Sequence, residues 1–245
     1  MPLYKEQGIV LRSIKLGEAD KIVTILTQGS GKVRAVAKGI RKTTSRFGGR
    51  LEPFTHVDLM LYRGRGSLDT VTQAEILAPH RRIREDLGRF AAAETMVEAV
   101  DKVAEEHERN TRLALLLLSG LRALDDGPAD PSAVAESFVL KLLSLSGFHP
   151  SLTGCAVCGA PVVSLWSAGL GGAICAADAE GDSASVSADV LGYLAELATG
   201  DLTIAGDIVA ADWVRTESRR LLFGFTEYHL ERRMRSVPML VRTMP

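Results

Sequence analysis

The sequence predicts an α+β chain: a small closed β-barrel at the N-terminus, then a helical domain interrupted by a zinc-ribbon-like insertion. Three observations carry this. Up to about residue 78, short and partly alternating apolar runs are separated by Gly-containing turns. After Pro79 the apolar spacing becomes helical. Between residues 151 and 185 periodicity fades, and all three cysteines fall in that stretch. A length of 245 residues with 46% hydrophobic and 24% charged side chains suits a globular protein of two or three compact units.

Five strands are expected, over residues 8–13, 21–27, 32–37, 56–62 and 68–74. The runs from Val33 to Lys38 and from Val57 to Tyr62 partly alternate, as strands with one buried and one wet face do. Gln28-Gly29-Ser30-Gly31 supplies a turn between strands two and three. So few strands avoid bare edges most economically by closing into a barrel. Helical patterns follow over 81–106, 111–124 and 131–146, broken by Asp125-Asp126-Gly127-Pro128 and by Gly147 and Pro150. Val134, Phe138, Leu142 and Leu145 recur along one helix face and read as core, with Pro131 in a first turn where proline is tolerated. Helical spacing resumes over 187–198 and 208–229. The expected units are therefore a barrel at 1–78, a helical domain at 79–150 and 186–245, and an insertion at 151–185.

The longest uninterrupted apolar run, Leu113 to Leu118, is far shorter than the roughly 20 residues that span a bilayer, and residues 1–20 hold no signal-peptide core. A soluble, cytoplasmic protein is expected. Formal net charge is only -1, but its distribution is uneven. Residues 1–90 hold 17 Lys/Arg against 9 Asp/Glu, a balance of +8, and residues 91–245 hold 12 against 21, a balance of -9.

The basic half is concentrated further. Lys32, Arg34, Lys38, Arg41, Lys42, Arg46 and Arg50 place seven cations in 19 residues with no acid among them, interleaved with glycines and with Thr43, Thr44 and Ser45. Solvated faces usually mix signs, so a one-sign stretch reads as a mobile loop offering cations and hydroxyls to a phosphate backbone. Arg63 and Arg65, in a Gly-flanked turn, either extend the same candidate nucleic-acid-binding surface or form a plain polar turn. Phe47, Phe54 and Tyr62 are candidates for base stacking, or equally for barrel packing.

Cys155-Ala156-Val157-Cys158-Gly159 has zinc-knuckle spacing, because a Cys-x-x-Cys turn closed by Gly points two thiolates at one cation. Cys175 follows, and Asp178 stands where a four-cysteine ribbon has its fourth thiolate; Asp can ligate through oxygen. Three readings stay open: a structural zinc site of Cys155, Cys158, Cys175 and Asp178, a degenerate metal-free ribbon, and a redox Cys-x-x-Cys. His149 is a further possible ligand.

Enzyme signatures are missing. Gly29-Ser30-Gly31-Lys32 resembles the end of a phosphate-binding loop, but Leu26 and Val33 stand where that loop needs Gly and Ser/Thr. No Gly-x-Ser-x-Gly elbow is present, no His-Glu signature accompanies the cysteines, and Asp125-Asp126 reads as a turn. Near the C-terminus Arg215, Arg219, Arg220, Arg232, Arg233 and Arg235 lie among Trp213, Phe223, Phe225 and Tyr228. That combination suits either an acidic peptide with an apolar end or plain complementation of a helix dipole.

The order of parts resembles the RecO family. The most specific carriers are Gly8-Ile9-Val10-Leu11 leading to Gly17-Glu18-Ala19-Asp20-Lys21-Ile22-Val23, then residues 31–39, then Lys141 to Pro150 running into the Cys155 knuckle. The resemblance implies an N-terminal OB-fold barrel, binding of single- and double-stranded DNA, annealing of complementary strands, and work with RecR and single-strand-binding protein to load the RecA recombinase, close to the nucleoid. It implies no catalysis. Asp178 departs from the family's fourth Cys and puts Zn2+ in question, leaving the DNA surface untouched. The rival readings are a non-catalytic OB-fold RNA-binding protein and, more remotely, a zinc-dependent hydrolase.

Overall fold

The computed structural model describes residues 3–45, 47–64, 66–181 and 183–243. Its N-terminal part is a closed five-stranded barrel: β1 (Leu3–Leu16), β2 (Asp20–Thr27), β3 (Gly31–Ala37), β4 (His56–Tyr62) and β5 (Asp69–Ala78). The strand order is β1-β2-β3-β5-β4, and β1 pairs with β4 to close it. All neighbours are antiparallel except β3 and β5, which meet in parallel at Ala35↔Asp69 and Val36↔Thr70. This is an OB-like barrel. β3 alternates strictly: Val33, Ala35 and Ala37 point inward, and Lys32, Arg34 and Val36 point outward.

β1 is longer than the expected 8–13 because it pairs with β4 through its first half and β2 through its second. Its apolar run is continuous rather than alternating. Val10 joins the barrel core while Ile9 and Leu11 join the core of the helical body, so the strand is buried on both faces. That double burial is what an uninterrupted apolar run in a strand requires.

The helical body contains α1 (Arg81–Glu85), α2 (Leu87–Val103), α3 (Thr111–Asp126), α4 (Pro131–Leu145), α5 (Ala188–Thr199), α6 (Asp212–Leu230) and α7 (Val237–Arg242). The single helix expected over 81–106 is broken. Asp86 takes extended backbone and its carboxylate accepts Arg89 N at 2.8 Å, ending α1 and capping α2. Asn110, Asp130 and Ser187 cap α3, α4 and α5 in the same way. The segment expected over 208–229 begins only at Asp212. α4 is the central rod: Val134, Phe138 and Leu142 are buried as expected, although Leu145 at its end is exposed. Among the described residues no helix is long and apolar enough to cross a membrane.

Between α4 and α5 the chain forms a small three-stranded sheet, β6 (Leu165–Ser167), β7 (Gly172–Ile174) and β8 (Ala184–Ser185), in the order β7-β6-β8. Trp166 and Val186 belong to the helical core. Trp166 packs on Phe225 at 5.8 Å, and His229 Nε2 meets Ala168 O at 3.0 Å. The insertion is thereby fixed to α6.

Candidate nucleic-acid interface and metal cluster

The basic stretch leaves β3 and crosses one end of the barrel. Ile40, Phe47 and Leu51 turn inward and join the barrel core. Gly39 N donates to Asp20 Oδ1 at 2.7 Å, Arg41 N to Ala19 O at 3.0 Å, and Lys42 N to Gly39 O at 3.1 Å. The loop is therefore anchored, contrary to the mobile loop its composition suggests. Its apolar residues are the anchors, a signal the Ile40, Phe47 and Leu51 spacing already carried. Lys38, Arg41 and Lys42 are exposed, and among the described residues none pairs with a carboxylate. Arg50 is exposed as well, and Arg46 lies outside the described residues.

The two cations on β3 itself are placed differently. Lys32 Nζ sits 3.3 Å from Asp101 Oδ1 and donates to Asp101 O at 2.7 Å. Arg34 lies 3.7 Å from Glu106 Oε1, and Arg12 Nε donates to Asp101 Oδ2 at 2.9 Å. Burial alone would raise the Asp101 carboxyl, but Arg12 and Lys32 overcome it and hold that group below the usual carboxylate range. The backbone joins in: His107 N donates to Lys32 O at 3.0 Å. Gly31 is in left-handed backbone with φ 67°, and a Cβ there would fall 2.0 Å from Glu108 O. Only glycine allows the 104–110 segment to lie this close to the barrel.

Arg63 is exposed, 5.0 Å above the Tyr4 ring. Tyr4 donates a short hydrogen bond to the buried Asp69, whose other oxygen accepts Gly64 N at 2.9 Å. Burial first, and Asp69 second, push the Tyr4 phenol well above its ordinary value, so it stays a donor. This fixes the β4–β5 turn beside β3, while Arg65 lies outside the described residues. Of the three stacking candidates, Phe47 and Phe54 are fully buried and serve packing: Phe47 fills the barrel and Phe54 makes an edge contact with Phe90 at 5.4 Å. Only Tyr62 is exposed.

The cysteines converge. Ligand atoms of Cys155, Cys158, Cys175 and Asp178 all lie within 4.8 Å of one another. Gly159, at φ 75°, closes the Cys-x-x-Cys turn, with its N donating to Cys155 O at 2.9 Å. Cys175 directly follows β7, and a single 3-10 turn, Ala176–Asp178, brings the carboxylate back beside it. Cys155 Sγ and Cys175 Sγ each lie 3.1 Å from Asp178 Oδ2, and Cys158 Sγ is 3.7 Å from Cys175 Sγ. The thiols hold the Asp178 carboxyl below its usual range, and Asp178 pushes the Cys158 thiol up to about 12. Four groups that become mutually repelling anions can all ionise once a cation sits between them, so the donor set fits a metal and is consistent with a zinc site. His149 is not part of the cluster; its Nδ1 meets Ser144 Oγ at 2.8 Å.

The six C-terminal arginines do not form one rim. Arg215, Arg219 and Arg220 project from α6 into a groove with Phe223, Val237 and Val241. Arg232, Arg233 and Arg235 line a separate groove against α2 and β1. Glu231, in left-handed backbone at φ 52°, reverses the chain between them.

An OB-like barrel with an exposed cationic loop, carried on a helical body that embeds a metal-fitting cluster of three cysteines and an aspartate, is an architecture without a membrane-crossing helix among the described residues. Residues 1–80 match the family described as Recombination protein O N terminal, and residues 84–238 match Recombination protein O C terminal. The DNA repair protein RecO of Frankia casuarinae is 44% identical over 99% of this chain and 100% of its own length. Those of Bifidobacterium adolescentis and a Nocardioides species are 44% and 43% identical over 98% of this chain and the whole of theirs. The chain belongs to the RecO family of DNA repair proteins.

Proposed function

We propose that this chain is a recombination mediator. It binds single- and double-stranded DNA on the barrel, anneals complementary strands, and helps RecR and single-strand-binding protein to load the RecA recombinase onto protein-coated single strands. The reading is of a cytoplasmic, nucleoid-associated protein that makes and breaks no covalent bond. The observation that carries it is the anchored loop, which holds Lys38, Arg41 and Lys42 exposed and free of carboxylates at one end of an OB-like barrel. The proposed DNA-contacting residues also include Arg46, Arg50, Arg63 and Arg65, and Lys32 and Arg34 join them when Asp101 and Glu106 release them. Annealing needs no chemistry: cations that neutralise two backbones at one surface lower their repulsion, and base pairing supplies the free energy.

Zinc is the metal assigned to Cys155, Cys158, Cys175 and Asp178. With Zn–S bonds near 2.3 Å, tetrahedral geometry separates two sulfurs by about 3.75 Å, which the 3.7 Å between Cys158 and Cys175 matches. Its role is to cross-link the knuckle to the β7 turn. Stoichiometric zinc in protein purified without added metal supports this assignment, and its absence overturns it.

The experiment for the main reading is the annealing rate of complementary oligonucleotides, bare and coated with single-strand-binding protein. It is run for the intact chain and for a variant with Lys38, Arg41, Lys42 and Arg46 changed to Ala. Acceleration by the intact chain that collapses in the folded variant is the expected result. No acceleration at any salt concentration overturns it.

A further inference from the structure

The groove between β1, α2 and the segment after α6 encloses about 840 Å³. Its outer lip is 232–236, and the chain spends much polar chemistry on the backbone of that lip. Glu98 accepts Arg235 N at 2.9 Å, Ser236 N at 2.8 Å and Ser236 Oγ at 2.6 Å. Glu227 accepts Met234 N at 2.8 Å, and Lys102 Nζ donates to Arg233 O at 3.0 Å. Met234 is buried beneath. Every one of these bonds goes to backbone or to Ser236. The side chains of Arg232, Arg233 and Arg235 remain exposed, and among the described residues none pairs with an acid.

The acids in the same groove are already engaged. Glu98 serves the lip and Lys102, and Asp101 is shared by Arg12 and Lys32. Burial, helped by Glu98, raises the Glu94 carboxyl and disfavours its charge. The groove also adjoins the barrel, since Arg12 lines it and shares Asp101 with Lys32, which stands on the strand that leads into the basic loop. Apolar anchors are scarce: Leu11 and Val97 are buried, and Met239 is partly covered. A peptide partner needs such anchors, while a phosphate backbone needs rigidly presented cations.

We infer that this groove is a second nucleic-acid track, in which Arg232, Arg233 and Arg235 hold the backbone of a single strand while another occupies the barrel loop. The inference rests on the DNA-binding reading above. It places two strands on one protein side by side, with the helical body as an active part of the surface.

The test uses the full chain and two non-complementary DNA oligonucleotides carrying different dyes. The first is at saturating concentration, and energy transfer reports capture of the second. Changing Arg232, Arg233 and Arg235 to Ala is expected to leave first-strand affinity within about threefold. Capture of the second strand should fall at least tenfold, and its salt dependence should flatten by about 2 in log–log slope, at ~0.7 per lost contact. The triple Lys variant should restore capture, since charge without guanidinium geometry suffices for phosphate. An unchanged melting temperature checks folding.

Second-strand capture that is unchanged in the Ala variant overturns the inference. So does a variant that loses only binding of a polyglutamate peptide. If the intact chain binds no first strand at all, the DNA-binding reading fails instead, and the two failures stay separate.

Discussion

Lys32 and Lys38 stand six residues apart at the two ends of β3, and by sequence they are interchangeable members of one basic run. In the fold they differ. Lys32 points at the helical body, with its side chain 14% exposed between Asp101 Oδ1 and the Asp101 carbonyl. Lys38 begins the loop and faces solvent. Arg34 follows Lys32 onto Glu106, and Arg41 and Lys42 follow Lys38. Cations of the first kind join the barrel to the helical body, and cations of the second kind are left open to solvent, as the proposed DNA surface requires. The helical body extends the series to its limit in Arg219, whose guanidinium is buried against the fully buried Glu136 at 2.7 Å. The degree of pairing, rather than the number of charges, separates cations that serve the fold from those the proposed function calls on.

The largest effect belongs to the most completely paired cation. Glu136→Ala leaves Arg219 buried without its acid and is expected to cost about 3–5 kcal/mol in denaturant unfolding. Glu136→Gln, which keeps a hydrogen-bond acceptor, should cost less and should alter the pH profile. Burial, opposed by Arg219, pushes the Glu136 carboxyl up to about 7. The folded state therefore binds this proton more tightly than the unfolded chain does. Stability from this group is present below about pH 4.5, is lost as pH rises toward 7, and changes no further above that. Subtracting the Glu136→Gln profile from that of the intact chain should isolate this downward slope. A flat difference between pH 4.5 and 7 contradicts it.

Next comes a direct contest between the two kinds of cation. Lys38, Arg41 and Lys42 changed together to Ala should weaken single-strand binding by ~100-fold at 0.1 M salt and flatten the log–log slope by about 2. Lys32 and Arg34 changed to Ala should weaken binding by under tenfold, but should also lower stability, because Asp101 is left half-buried with only Arg12. Fluorescence anisotropy across a salt series and melting of both variants reads the contrast. Equal losses of affinity would erase it.

Much of this was legible in the sequence. All five strands fell within or overlapped the expected runs, because alternation and Gly turns are local signals. The spacing of Cys155, Cys158, Cys175 and Asp178 offered a four-ligand cluster as one of three readings, and the fold brings the four together. The misses share a cause. Asp86 breaks a helix inside unbroken apolar spacing, and only its capping bond to Arg89 N shows why. Lys32 meets Asp101 and Arg34 meets Glu106 from about seventy residues away, so no window of sequence pairs them. The six arginines divide between two grooves on either side of the α6 C-terminus, where a non-glycine residue, Glu231, takes left-handed backbone that no local pattern announces. Phe47 and Phe54 looked available for stacking and proved to be packing, since barrel interiors and loop anchors claim aromatics first.

The smallest predicted effect is the sharpest probe of the distinction. Glu106 is 40% exposed at its side chain and sits 3.7 Å from Arg34, so the pair contributes at most ~1 kcal/mol and salt screens it. Glu106→Gln should leave the melting temperature within a degree or two, because His107 N still bonds Lys32 O and holds the segment in place. With its acid gone, Arg34 becomes a cation of the second kind without moving. Single-strand affinity should then rise a fewfold, and the salt slope should steepen by about 0.7, one additional phosphate contact. If affinity rises with no change in slope, the gain is only diffuse charge. If neither changes, Arg34 points away from the bound strand, and the recognition surface ends where β3 ends.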